Sequence, residues 1–344
     1  IIPKSLWRKM GQQGFLCTSV PEAYGGIGGD FLYSVIMGEE LVRSRQFGVA
    51  APLHSDVVVP YIEAYATEEL KRKYLPSCVS GDIITAVAMT EPNTGSDLAA
   101  IQTTAVEDGD HVVITGQKTF ISSGILCDMV VMAVKNPSAE SPHKAIDLYL
   151  VEADTPGFEK GKNLEKMGWH CQDTAELFFN ECRVPKINRL GTKGGGFIML
   201  MEKLQQERLV TSIGAQVHAE VMLETTIEYC RKHKDYGRPI SKFDYNQLKI
   251  VDMATEVKLG RVFLEKLIAD HMEGKDIVAE VSMAKFWCTE MAQRVADGCM
   301  ELHGANGICE TFSIGRAWRD TRVMPIFAGT NEIMRGIIGK SMGL

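Results

Sequence analysis

The decapeptide Ala88-Met89-Thr90-Glu91-Pro92-Asn93-Thr94-Gly95-Ser96-Asp97 ends an apolar run, Ile83 to Met89, and gathers hydroxyls, a glycine and a proline into one loop. At a strand end, backbone N–H groups and short hydroxyls can cradle an anion or the edge of a heteroaromatic ring, and Gly95 lets a ligand come close. The same composition also fits a plain Asp/Ser-rich turn. The second candidate is a carboxylate. Helical spacing sets Leu200, Leu204, Glu207, Thr211, Gly214, Ala215 and Met222 in one stripe, and few charges follow Leu209. A Glu on such a face must be paired, protonated or facing a cavity. Gly214 and Ala215 are small enough to leave room for a ligand. An ion pair with Arg208, or with a lysine at the helix edge, is the alternative.

Composition bounds what these residues can serve. The chain has 344 residues, 24% charged and 45% hydrophobic, enough for two or three domains and a large core. Its net charge of −7 offers no basic face to nucleic acid or an anionic membrane. No apolar run approaches the roughly 20 residues that span a bilayer. The nine cysteines are scattered, form no CxxC pair and predict reduced thiols, as in a bacterial cytoplasm or a mitochondrial matrix, with the cytoplasm favoured. Metal binding is not expected. The opening Ile1-Ile2-Pro3-Lys4 predicts a fragment or a processed product.

Three regions must position the candidates. Residues 1–82 read as an N-terminal helical domain, with segments such as Asp30–Arg43 and Thr67–Tyr74 punctuated by Pro21, Gly25-Gly26 and Pro76. Gly25, Gly26, Gly28 and Gly29 lack the flanking strands of a dinucleotide fingerprint and predict a turn. Residues 83–190 read as a middle antiparallel β domain, a small barrel or sandwich. Ala100–Glu107, Asp108-Gly109-Asp110 and His111–Thr115 form a hairpin, and Asp128–Val134, Ile146–Glu152 and Ala175–Asn180 are further strands. Residues 191–344 predict long helices over about 196–233, 245–273 and 277–302 and a short one from 330, an antiparallel four-helix bundle.

The loop at 88–97 closely resembles the first signature of the acyl-CoA dehydrogenases, flavoproteins that oxidise acyl thioesters, and the α-β-α order resembles that family almost end to end. The resemblance implies FAD, with Met89 and Thr90 at the ring edge, Gly95 and Ser96 toward the pyrophosphate, and Phe120 stacked on the ring where relatives carry Trp. Ser122 would lie near N5, and Thr330 with Glu332 would serve the cofactor at the start of the last helix. Plain strand core is the other reading of Phe120. Most members take their base from a Glu-Gly-Thr motif before that helix, but here the segment reads Phe327-Ala328-Gly329-Thr330. Long-chain and isovaleryl-type members place it instead in a Glu-Arg-Leu context, which Glu207-Arg208-Leu209 matches. Arg208, Asp173, Phe327, Ala328 and Gly329 would border the acyl-CoA, with a backbone N–H near Ala328 polarising the thioester carbonyl.

The implied activity is α,β-dehydrogenation of an acyl-CoA in fatty-acid β-oxidation, on long or branched chains, with an electron-transferring flavoprotein as acceptor. The implied assembly is a dimer or a dimer of dimers, with a first helix beyond the residues given. The adenine end departs from the pattern. His233 stands for Arg, Asp244 for Gln, and Glu301 for Gln in the motif that ends in Gly304 and Gly307, while Lys232 or Lys234 offer compensating charge. These exchanges keep open a flavin-poor, non-catalytic subunit; retention of Glu207 argues against it, and against a flavin monooxygenase. Arg319-Asp320 reads as an intrachain ion pair, and Trp169 and His170 as lining of the acyl-CoA entrance.

Overall fold

Thr67 accepts the Leu70 amide at 3.4 Å and starts a helix that runs to Ser80. It stops at Gly81, whose φ of +74° favours glycine and whose missing Cβ would lie 2.4 Å from the Trp7 carbonyl. The first region holds four α-helices. They are α1 (Lys4–Gln12), α2 (Phe31–Arg43), α3 (Val59–Tyr65) and α4 (Glu68–Ser80). The glycines at 25–29 do form a turn, closed by Gly26 and Gly28 amides on the Pro21 and Val20 carbonyls.

The computed structural model describes residues 1–46, 48–139, 141 and 144–344. They group into two compact units, one of residues 1–34, 49–166 and 170–204, the other of residues 35–48, 167–169 and 205–344.

The β region of the first unit holds β1 (Thr85–Ala88), β2 (Thr104–Asp108), β3 (His111–Ser122), β4 (Met129–Lys135), β5 (Ile146–Glu152), β6 (Phe158–Asn163), β7 (Thr174–Pro185) and β8 (Arg189–Leu190). They form one sheet in the order β6-β7-β3-β2-β4-β5-β8, with β1 beside β4. The joins are antiparallel except β1–β4 and the single pair Thr104–Lys135 between β2 and β4. Gly109, at φ +60°, turns the β2–β3 hairpin as its Asp-Gly signal predicts. The composition of β6, Phe-Glu-Lys-Gly-Lys-Asn, hides a strand that sequence pattern did not reveal. Its first residue, Phe158, stacks on Phe179 at 4.6 Å in the core with Ile114, Val130, Met132 and Leu177.

An ion pair inside this unit fixes the loop at 88–97. Glu91 and Lys118 are 6% and 0% exposed and lie 2.9 Å apart. Glu91 also accepts the amides of Gln102 (2.6 Å) and Thr103 (2.9 Å), while Lys118 donates to the Met89 carbonyl at 3.1 Å. One carboxylate therefore ties the loop's start to the chain just past its end, at Gln102 and Thr103, and one ammonium ties both to β3. Burial pushes the Lys118 pKa down to about 8. Burial also works against the Glu91 charge, but Lys118 and the two amide donors outweigh it and hold its pKa below the usual carboxylate value.

The second unit is helical. It contains most of α5 (Gly196–Lys232), then α6 (Asp244–Met272), α7 (Val278–His303), α8 (Ala305–Ile308), α9 (Ser313–Thr321) and α10 (Asn331–Ser341). The three long helices begin and end within one residue of their sequence expectation. Gln216 donates from α5 to the Val257 carbonyl on α6 at 2.8 Å, and Arg261 of α6 clasps Glu220 of α5 at 2.7 Å. Helix α7 packs against α6, α9 and α10.

Two substitutions test these constraints. Glu91→Gln leaves a buried ammonium without its anion and should destabilise the protein by about 3 kcal/mol in chemical denaturation at neutral pH. The gap should shrink as pH falls, because a Glu held below its normal pKa gives stability that is lost as pH drops through the folded value. Gly116→Ala would put a Cβ 2.7 Å from the Thr103 Cα at the β3 irregularity. It should cost about 2 kcal/mol or more, read as a lowered unfolding temperature.

Candidate active site

The loop tied by Glu91 and Lys118 sets the first group of candidates. Thr90 lies two residues past the end of β1, and its carbonyl accepts the Thr119 amide at 3.0 Å. The Met89 carbonyl is taken by Lys118, so the side chain and amide of Thr90 are what this stretch offers outward. Gly95 and Ser96 are exposed, and a Cβ at Gly95 would meet nothing within 4 Å. The chain itself therefore does not require glycine there, and the open space suits a ligand.

Across from the loop, the β3–β7 pairing slips between Lys118 and Ile121. Phe120 sits in that slip with φ +56° and 68% of its surface exposed. A bulky residue in left-handed backbone is strained and persists only where its surroundings fix it. Phe120 is not strand core; its ring is presented outward, as a stacking platform requires. The ladder resumes at Ile121 opposite Ala175, and Ser122 pairs with Thr174 at its end. Asp173, a candidate border residue for acyl-CoA, spends its carboxylate on the Ile125 and Leu126 amides at 2.8 and 2.9 Å. It shapes the 123–127 turn, so any part in binding passes through that turn. His170 is held separately by the Lys166 carbonyl at 2.8 Å.

In the second unit, Glu207 and Arg208 are both buried, 6% and 4% exposed, on an apolar stretch of α5 with Leu209, Ile213 and Ala215. Burial works against the Arg208 charge and Glu207 supports it. Arg208 Nε has no hydrogen-bond partner among the described residues. Nothing within 4 Å would meet a Cβ at Gly214, so the small residue two turns beyond Glu207 leaves space beside the helix.

The segment before α10 is the other conspicuous piece of this unit. Ala328 and Gly329 are both left-handed, at φ +53° and +89°. The ring of Trp169, itself at φ +53°, stands edge-on to Phe327 at 5.7 Å. Trp169 is anchored twice on Asp320, its amide to the carboxylate at 2.5 Å and its indole N–H to the carbonyl at 2.7 Å. The expected Arg319–Asp320 ion pair is thus replaced: Arg319 pairs with Glu310 at 2.5 Å, and Asp320 holds Trp169. Thr330 caps α10 by accepting the Ile333 amide at 3.3 Å, which leaves its hydroxyl proton to donate elsewhere. Glu332, exposed in the first turn, has its pKa held down by its own backbone amide and the Thr330 hydroxyl.

Two of the three residues that depart from the family pattern, Glu301 and His233, are partnered within this unit. Glu301 contacts Lys249 and accepts the Tyr245 hydroxyl at 3.1 Å, which neutralises its charge. His233 stacks on Tyr229 at 5.0 Å, and Tyr229 stacks in turn on His303 at 4.1 Å. Asp244 is exposed as the first residue of α6. Gly304, at φ +57°, ends α7, and Gly307 packs where a Cβ would lie 2.8 Å from the Met300 carbonyl.

Sequence reasoning passed over Lys118 and Lys285, both 0% exposed, and the strained backbone at Phe120, Ser123, Trp169 and Ala328. Lysine is normally a surface residue, so Lys285 inside the apolar run 281–288 was an available signal, whereas Lys118 lies among polar residues and carried none. Nothing in residue types marks left-handed conformation at a non-glycine.

Three family models cover the chain: the acyl-CoA dehydrogenase N-terminal domain over residues 1–82, the middle domain over 86–182 and the C-terminal domain over 194–343. The long-chain specific acyl-CoA dehydrogenase of Rattus norvegicus mitochondria is 41% identical over 99% of this chain and 80% of its own length. The crystal structure of an acyl-CoA dehydrogenase from Geobacillus kaustophilus is 54% identical, with a TM-score of 0.99 over 100% of this chain and 91% of that one. The FAD complex of PigA superposes with a TM-score of 0.95 at 27% identity, over 100% of this chain and 90% of that one. No helix among the described residues is long and apolar enough to cross a membrane. From its helical, β and helical regions, and from its identity to these relatives along nearly its whole length, this chain belongs to the acyl-CoA dehydrogenase family.

Proposed function

We propose that this protein is an acyl-CoA dehydrogenase that forms a trans-2-enoyl-CoA from a long or branched acyl-CoA, with Glu207 as the base. The observation that carries this reading is the pair of positions 207 and 328: a buried glutamate on α5 and an alanine before α10. The α C–H of a thioester is weakly acidic. A base can remove it only from a fixed position with water excluded. Glu207 would take the α proton on its carboxylate as the Cα–H pair becomes the new C=C bond. While the proton leaves and before the hydride has gone, negative charge would build on the thioester oxygen, and the free amides around Ala328 would bind it. Arg208, Phe327 and Gly329 would line the same substrate, and Asp173 would shape its border through the 123–127 turn.

Met89, Thr90, Gly95, Ser96, Phe120, Ser122, Thr330 and Glu332 would hold FAD, with the exposed Phe120 ring and the open space at Gly95 supporting the fit. Bound FAD supplies the acceptor for the hydride that leaves the β carbon. His233, Asp244, Glu301, Gly304 and Gly307 would serve its adenine end, and the Lys249–Glu301 contact lessens the cost of an acid there. An electron-transferring flavoprotein would take the electrons onward.

A homo-oligomer, dimeric or a dimer of dimers, is supported by one face of α6. Tyr245, Leu248, Val251, Leu259 and Val262 are each more than half exposed and share one stripe. A monomer rarely leaves so many large apolar side chains in water along one helix.

Glu207→Gln should keep the yellow flavin spectrum and lose turnover by on the order of 10³-fold. Anaerobic long-chain acyl-CoA should bleach the wild type and leave the variant coloured; turnover surviving largely intact removes Glu207 as base. A colourless wild type that cannot be loaded with FAD would instead support a non-catalytic subunit. In sedimentation equilibrium the wild type should be at least a dimer, and Leu248→Glu with Leu259→Glu should lower that state; a monomeric wild type contradicts the assembly.

A further inference from the structure

Lys285 is an ammonium with no exposed surface in the middle of α7, and no carboxylate pairs with it among the described residues. Its Nζ donates instead to the Gly329 carbonyl at 2.6 Å and to the Asn331 side-chain oxygen at 3.1 Å. Asn331, 2% exposed, spends its own N–H₂ on α7, toward Thr289 Oγ1 (3.1 Å), Glu290 (3.3 Å) and the Phe286 carbonyl (3.4 Å). The Asn331 amide closes back on the Pro325 carbonyl at 3.0 Å. Burying a lysine to hold a peptide carbonyl is costly, so the held segment must need the hold.

That segment contains the left-handed Ala328 and Gly329. Alanine does not adopt such a backbone freely; it must be kept there. The amides of Ala328, Gly329 and Thr330 have no acceptor among the described residues, so three successive N–H donors are left for a ligand. The Gly329 carbonyl that Lys285 grips belongs to the same peptide as the Thr330 N–H. Polarising that carbonyl with a cation makes the N–H a stronger donor.

We infer that Lys285 is a positioning residue for the reaction, holding residues 328–330 in the conformation that turns their amide N–H groups into an oxyanion site. This rests on the dehydrogenase reading above, because the oxyanion is the thioester oxygen as the α proton leaves. Three charged groups bear on Lys285: Arg208 from α5, Glu290 from α7 and Glu332 on α10; Glu290 is itself paired to Arg335 at 2.6 Å. Burial and Arg208 lower its pKa to about 8, against Glu332 and Glu290.

The test uses the FAD-loaded full-length protein. Lys285→Met should keep the flavin spectrum and oligomeric state while kcat falls by about 10- to 100-fold and KM changes little, the pattern of a weakened oxyanion site. A CoA thioester of an aromatic enoic acid, whose absorption moves to the red when its carbonyl is polarised, should show a smaller shift on the variant. Amide hydrogen exchange should quicken over 325–333. Lys285→Gln covers the case in which Lys285→Met fails to fold: its neutral amide can still donate to the Gly329 carbonyl but polarises it less, so kcat should fall, and by less than in a Lys285→Met that folds. Unchanged kcat and red shift, with only a lower unfolding temperature, would make Lys285 a packing residue and overturn the inference. A wild type that binds FAD but is not reduced by any acyl-CoA would overturn the dehydrogenase reading and the oxyanion role with it. Hydrogen exchange would still report in that case whether Lys285 locks the backbone.

Discussion

A charge taken out of water must be met by another charge or by several hydrogen bonds. This chain buries charged side chains at the segments its proposed chemistry uses. Glu91 and Lys118 meet each other and three backbone groups, and by doing so they fix both ends of the loop at 88–103. Lys285 meets a carbonyl and a carboxamide rather than an acid, and thereby holds Gly329 and Asn331. Glu207 and Arg208 are consecutive buried residues of α5. In the first two cases the cost of burial is offset by bonds to backbone, so the ionic groups act as staples for loops. Loops carrying ligands need that treatment, since their own packing is too sparse to hold a geometry to a fraction of an ångström.

Strain accompanies these staples. Four non-glycine residues with positive φ, Phe120, Ser123, Trp169 and Ala328, lie in or beside segments where sequence motifs placed function. Phe120 rides the slip between β3 and β7, and Ala328 sits beside the Lys285 grip. Each conformation would relax if its surroundings were loosened, which links the stability of the scaffold to the shape of the site.

Much of this could be read from residue order, for identifiable reasons. The three long helices are long proline-free runs, each followed by a short segment bearing Gly or Pro, and the β2–β3 hairpin has an Asp-Gly turn, so their positions follow from length, breakers and turn chemistry. Glu207 stood out because a lone acid on an apolar face is conspicuous. β6 escaped because its polar sequence is a strand only through pairing with β7. The parallel β1–β4 join escaped because pairing partners distant in sequence leave no local mark. Asp320 looked like a partner for its neighbour Arg319, but side chains adjacent in sequence on a helix do not face each other, and it instead anchors Trp169. The exchanges at Glu301 and His233 looked damaging in isolation. Lys249, which meets Glu301 in space, is too far along the chain for a motif to reveal, whereas Tyr229 lies one helical turn before His233 and was legible at i,i+4 spacing.

The central claim is that the acid at 207, with none at 328, removes the α proton. It is tested most directly with a non-oxidisable 3-thia-acyl-CoA, whose α carbon can be deprotonated but cannot lose a β hydride. Added to the FAD-loaded wild type, it should give a long-wavelength charge-transfer band as its α proton is lost. Glu207→Gln should bind the same ligand without the band. A band of equal strength in that variant would show that another group takes the proton and would contradict the assignment.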